Sequence, residues 1–216
     1  ESSAASDVYK RQKIVWANEI DKYACKTYRL NFSGEYLIEG DIQKLDTKDI
    51  PKFDILTAGF PCQAFSSVGL LEGFNDPRGN LFFETARVIN KIKPRVVFLE
   101  NVANLVKHDE GRTFDVILKT LGDLGYYTVY KVMNAKEYGN IPQQRNRIYI
   151  VAFKYKKNVE KFKFPDMLPL TQTAFDLFDK KKQEEKYYMD GHRMWNRMME
   201  SVSYTHLRAH ETGAYL

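Results

Sequence analysis

Three apolar runs of strand length punctuate the chain, and each adjoins residues able to do chemistry. Residues 54–58 have the length and flanking residues of a buried parallel strand and stop at Gly59. Residues 95–99 form a second run ending on Glu100, and residues 148–153 form a third, entered through Arg145 and Arg147. Lys13 to Asn18 and Tyr126 to Met133 read as further strands. Between them the spacing changes to that of helices. Residues 21–31 place Ala24 and Tyr28 on one face. Residues 81–93 carry a stripe of Phe82, Ala86, Ile89 and Ile92, stopped by Pro94, and residues 113–124 repeat the pattern with Phe114, Ile117, Leu118, Leu121 and Leu124 before Gly125. Repeated strand, helix, strand units predict an α/β fold, with a parallel sheet covered by helices on both faces.

In open α/β sheets, sites form beyond the carboxyl ends of the strands, and that is where Cys62 falls. Gly59 admits backbone torsions closed to other residues and Pro61 fixes its own φ, so the thiol is predicted on a stiff turn. A cysteine behind a proline is by itself more often a buried structural residue. Its companions change that reading: three strand ends carry a thiol, a carboxylate and two guanidiniums.

Gly59-Phe-Pro-Cys62-Gln, Glu100-Asn-Val102 and Gln143-x-Arg145-x-Arg147, in this order and spacing, resemble the motifs of the cytosine-5 DNA methyltransferases. The resemblance runs from about residue 13 to residue 153. It implies a Rossmann-like fold that uses S-adenosylmethionine and no metal, here incomplete at both ends. Cys62 corresponds to the nucleophile that adds to carbon 6 of cytosine, Glu100 to the acid engaging N3 and the exocyclic amine, and Arg147 to the group holding O2. Arg145 adds positive charge favouring the thiolate. Glu19 corresponds to the ribose ligand and Asp41 to the residue meeting the adenine amino group. Ile42 packs on the ring, and Pro61 and Leu81 complete the pocket. The glycine-containing segment 63–80 corresponds to the loop that closes over DNA, with Gln63, Ser66 and Arg78 as candidate contacts. The alternatives are an RNA cytosine-5 methyltransferase on the same scaffold and a non-catalytic nucleic-acid-binding remnant.

The resemblance also organises the chain. Residues 13–153 read as a partial catalytic domain and residues 154–200, rich in lysine, as the start of a variable target-recognition region. Residues 1–12 and 201–216 look appended. The family places a glycine-rich strand and turn before its acidic ribose residue, and residues 1–12 contain no glycine, so weak or absent cofactor binding and no methyl transfer are expected of these residues alone. His206 and His210 have helical spacing but no third ligand nearby, so no metal site is expected. A net charge of +5 is compatible with a polyanionic partner, and double-stranded DNA is the one implied. No apolar run approaches a membrane span, and two cysteines without ligand spacing suit a reducing compartment. The expectation is a monomer in the cytoplasm of a bacterial or phage-infected cell, with a restriction endonuclease of the same specificity as a possible partner.

Overall fold

The structure is a computed structural model that describes residues 13–32, 34–60 and 81–177. Glu1–Tyr130 with Tyr149–Phe162 form one compact unit, and Lys131–Ile148 with Lys163–Leu216 a second.

In the first unit, β1 (Ala17–Glu19) leads through Asp21 into α1 (Lys22–Asn31). Asp21 starts that helix because its carboxylate accepts from the N–H groups of Tyr23 and Ala24 at 2.8 and 2.7 Å, two donors that a helix start leaves without partners. The chain returns as β2 (Leu37–Glu39), parallel to β1 with Ala17 opposite Leu37 and Glu19 opposite Glu39. β1 is shorter than the predicted strand because its partner offers only three residues. β2 has no counterpart among the sequence expectations, since three residues carry no readable period.

Next come β3 (Ile55–Gly59), α2 (Leu81–Ile92) and β4 (Val96–Val102). β3 and β4 are parallel, as expected. α2 buries Phe82, Ala86 and Ile89 of the stripe read from the sequence, with Val88 beside them, and α3 (Arg112–Asp123) buries Phe114, Ile117 and Leu121, while Ile92, Leu118 and Leu124 stay half-buried. Ile89, Ile117 and Leu121 are fully buried, each worth about 1.5–3 kcal/mol of apolar transfer. Val97 and Leu99 of β4, with Ile150 and Ala152 further on, complete this core.

β5 (Tyr127–Asn134), α4 (Ala135–Tyr138) and β6 (Asn146–Phe153) follow, and the four-stranded sheet has the order β3-β4-β6-β5. The expectation of an all-parallel sheet is corrected here. The Lys154 N–H donates to the Arg95 carbonyl at 3.0 Å, so β6 finishes where β4 begins. The Ala135 N–H donates to the Arg145 carbonyl at 3.0 Å, so β6 starts where β5 ends. β6 therefore runs against both neighbours. The link between β5 and β6 is too short for the dozen or more residues of a parallel crossover. α5 (Lys156–Lys161) lies in what the sequence offers only as a charged run. Among the described residues no helix is long and apolar enough to cross a membrane.

Candidate active site

The register of β3 on β4 sets Gly59 directly opposite Glu100. A Cβ built on Gly59 would lie 3.6 Å from Glu100 Oε2, so the carboxylate reaches back over the glycine. Asn101, 3% exposed, ties the same two strand ends together. Its Nδ2 donates to the Phe60 carbonyl at 2.7 Å while its Oδ1 accepts from the Val102 N–H at 2.8 Å. The last described residue before Pro61 is thus fixed by a buried amide from the neighbouring strand.

A cavity of about 720 Å³ opens beside this point. Glu19 from the end of β1, Asp41 and Ile42 from the turn after β2, and Leu81 from the start of α2 line it together with Gly59 and Phe60. Glu19 Oε1 accepts from the N–H groups of Ile20 and Asp21 at 2.8 and 2.9 Å, and Asp41 Oδ1 accepts from Gln43 N–H at 3.0 Å. Each acid uses one oxygen to hold its own turn. Among the described residues the second oxygen of each takes no hydrogen bond. Asn18 steadies the opposite strand end, its Nδ2 donating to the carbonyls of Ile38 and Gly40 at 3.0 and 2.9 Å.

Apolar residues make up most of the rest of the wall, interspersed with Lys13, Asn18, Asp54, Thr57 and Thr85. Trp16 and Phe53 stack with ring centroids 6.3 Å apart, and Ile55 is 50% exposed although it sits in a strand of apolar composition. Among the described residues, β1 pairs only with β2, and β3 only with β4, while both strands line the cavity. Trp16 Nε1 is buried there with no hydrogen-bond partner among them.

Cys25 is fully buried in α1, and burial, followed by the nearby charge of Glu39, pushes its thiol pKa up. That is the profile of a structural cysteine. Pro61, Cys62, Gln63, Ser66 and Arg78 lie outside the described residues.

Arg145 and Arg147 belong to the second unit. Arg147 lies within β6, which begins two residues earlier than the sequence predicts, and Arg145 immediately precedes that strand. Asn134, 4% exposed, organises the motif. Its Nδ2 donates to Asn146 Oδ1 at 2.8 Å and its Oδ1 accepts from the N–H groups of Lys136 and Arg145 at 2.9 and 3.4 Å. Sequence reasoning missed the three asparagines. Asn101 falls inside a quoted motif and could have been singled out, whereas Asn18 and Asn134 carry no local signal.

Residues 5–211 match the family model described as C-5 cytosine-specific DNA methylase. The chain belongs to that family. Within it, the chain is 49% identical over 178 residues to the Type II methyltransferase M.Bsp6I of Bacillus sp. (strain RFL6), covering 82% of this chain and 56% of that protein. It is 46% identical over 178 residues to the Type II methyltransferase M.HhaI of Haemophilus parahaemolyticus, covering 82% and 54%. The chain therefore spans about half the length of the relatives it matches. Among solved structures, S. pombe Dnmt2 methyltransferase superposes with a TM-score of 0.63 at 22% identity, over 88% of this chain and 59% of that one. At such identity the likeness is one of fold, and it is the methyltransferase α/β fold that the sequence predicts.

Proposed function

We propose that the protein transfers a methyl group from S-adenosylmethionine to carbon 5 of a flipped cytosine in double-stranded DNA. The observation that carries this reading is the gathering of Glu19, Asp41, Ile42 and Leu81, from three separate segments, around one cavity at the end of β3. Two carboxylates, each with an oxygen to spare, suit a ligand bearing hydroxyl and amino donors. The apolar part of the wall suits a flat ring. The residues therefore fit an adenosine-containing cofactor, with Glu19 accepting from ribose, Asp41 from the adenine amino group, and Ile42 and Leu81 covering the ring. Pro61 is the fifth residue of this group. When bound, the cofactor supplies an electrophilic methyl on sulfonium.

The chain's own residues prepare the acceptor. The Cys62 thiolate adds to carbon 6, breaking the ring's aromaticity and making carbon 5 nucleophilic. A free thiol with a pKa of about 8.5 is mostly protonated at neutral pH, so the mechanism calls on the guanidinium charge of Arg145 and Arg147 to favour the reactive form. Glu100 engages N3 and the exocyclic amine, limiting negative charge in the adduct, and Arg147 holds O2. After transfer a base removes the carbon 5 proton, the carbon–sulfur bond breaks and Cys62 leaves. None of this reaches a stacked base, so the cytosine must be extruded, with Gln63, Ser66 and Arg78 contacting DNA. Residues 13–153 act as part of the catalytic domain and residues 154–200 begin the region that reads sequence. The protein works as a cytoplasmic monomer, beside an endonuclease of the same specificity.

The test is covalent trapping in a chimera joining residues 13–153 to the remaining parts of a Type II relative. DNA carrying 5-fluorocytosine at the cognate site should trap the protein, because fluorine blocks the last elimination. Cys62→Ser should abolish the trapped band and Cys25→Ser retain it. A band that survives loss of Cys62 overturns the assignment.

A further inference from the structure

Arg87 stands on α2, one residue from Val88 and two from Thr85, both of which line the cavity wall with Leu81. Its guanidinium reaches across to a segment more than forty residues earlier in the chain. Nη2 donates to the Ile42 carbonyl at 2.8 Å and Nη1 to the Leu45 carbonyl at 3.0 Å. Nε donates to Glu84 Oε2 at 2.7 Å, and Glu84 sits one turn earlier on the same helix. The carboxylate orients the fork and the fork grips the two ends of a single 3-10 turn, Ile42–Lys44, whose first residue faces the cavity. A planar fork with donors on three nitrogens holds two carbonyls and a carboxylate at fixed spacing. Among the described residues the turn's other bonds are all within itself: Gln43 N–H to Asp41 Oδ1 and Lys44 N–H to the Asp41 carbonyl, both at 3.0 Å, and Leu45 N–H to the Ile42 carbonyl at 3.2 Å. None of its residues is buried.

We propose that Arg87 is a positioning residue that latches the Asp41–Leu45 turn onto α2 and so sets the spacing between the Asp41–Ile42 and Leu81 walls of the cavity. It touches no ligand itself. The inference rests on the cofactor reading for its functional consequence, because those two walls are the ones assigned to the adenine end. Misplacing a binding wall by about 1 Å is enough to cost one to two orders of magnitude in a positioned interaction. A partly exposed arginine contributes less to the stability of the whole.

The experiment is hydrogen exchange on residues 1–216, comparing wild type, Arg87→Gln and Arg87→Lys, with and without millimolar S-adenosylmethionine, alongside thermal melts. Arg87→Gln should speed exchange of the 42–46 amides about tenfold while amides of α3 keep their wild-type rates. Arg87→Lys, a point charge able to serve one carbonyl at a time, should fall between. The protection that the cofactor gives the turn should require about tenfold more ligand in Arg87→Gln, with a melting temperature within about 3 °C of wild type. Unchanged exchange at 42–46 overturns the latch. So does a uniform rise over the chain in step with a lower melting temperature, since that marks a general structural role. Absence of any cofactor effect on the wild-type turn, both in residues 1–216 and in the chimera used for covalent trapping, with the variant's local exchange still raised, overturns instead the cofactor reading and leaves the latch standing.

Discussion

Replacing Asn101 by alanine should destabilise the protein by about 2–4 kcal/mol, and the structure says which atom is responsible. The amide makes two bonds, donating to the Phe60 carbonyl and accepting from the Val102 N–H. Val102 is 37% exposed, so water can replace its partner, but Phe60 is 8% exposed and its carbonyl would be left without one among the described residues. An unsatisfied buried acceptor costs about 1–3 kcal/mol, and the small void left by the amide adds about 1 kcal/mol. For a chain of this size each kcal/mol lowers the melting temperature by about 2–4 °C, so a drop of roughly 4–16 °C is expected. Urea unfolding followed by circular dichroism measures it. Asn31→Ala, which removes an exposed amide bonded to the Thr27 carbonyl, is the control and should change stability by less than about 0.5 kcal/mol. Asn101→Asp separates the hydrogen bond from packing. It keeps the acceptor for Val102 but turns a carboxylate toward the Phe60 carbonyl, so the folded pKa is raised above its unfolded value. The variant should then be most stable below about pH 4, where the acid can donate, and lose stability as pH rises through the folded pKa. An Asn101→Ala protein with the stability of wild type would refute the reasoning.

Glu100→Gln keeps shape but removes a titrating proton; in the trapping chimera methyl transfer should fall by about two to four orders of magnitude with DNA binding little changed, and an unchanged rate would return Glu100 to a structural role. Residues 1–216 by themselves should bind S-adenosylmethionine no tighter than about 100 µM and transfer no methyl, because β1 and β3 line the cavity with backbone edges that pair with no further described strand. Calorimetric titration beside the chimera decides this, and micromolar binding with turnover by the 216 residues would count against it. Tyr126 is 6% exposed and donates to the Pro94 carbonyl at 2.7 Å, and burial pushes its pKa up to about 12. Its folded value lies above the unfolded value of about 10, so its stabilising contribution is complete below pH 10 and disappears as pH climbs toward 12. Tyr126→Phe should flatten the fall in urea midpoint across that interval, and an equally steep fall in both proteins would exclude Tyr126 as its source.

The sequence by itself determined what depends on local chemistry and on repeated pattern. The stripes of α2 and α3 were legible because a helix must bury one face at a fixed spacing, and Pro94 and Gly125 mark where each pattern stops. Glu19, Asp41, Ile42 and Leu81 could be named because short motifs keep residue type and order even when nothing in the sequence shows that they meet. Tertiary structure alone decided how they meet. The reversal of β6 depends on which strand end finds which partner, a long-range choice that an apolar run expresses identically in either direction. β1 contracted to three residues because a strand extends only as far as its neighbour. The grip of Asn101 on Phe60, and of Arg87 on the Ile42–Lys44 turn, joins side chains to backbone carbonyls about forty residues away. A carbonyl carries no signature in the sequence, since every residue has one, and only the fold selects which of them a buried amide or a guanidinium will reach.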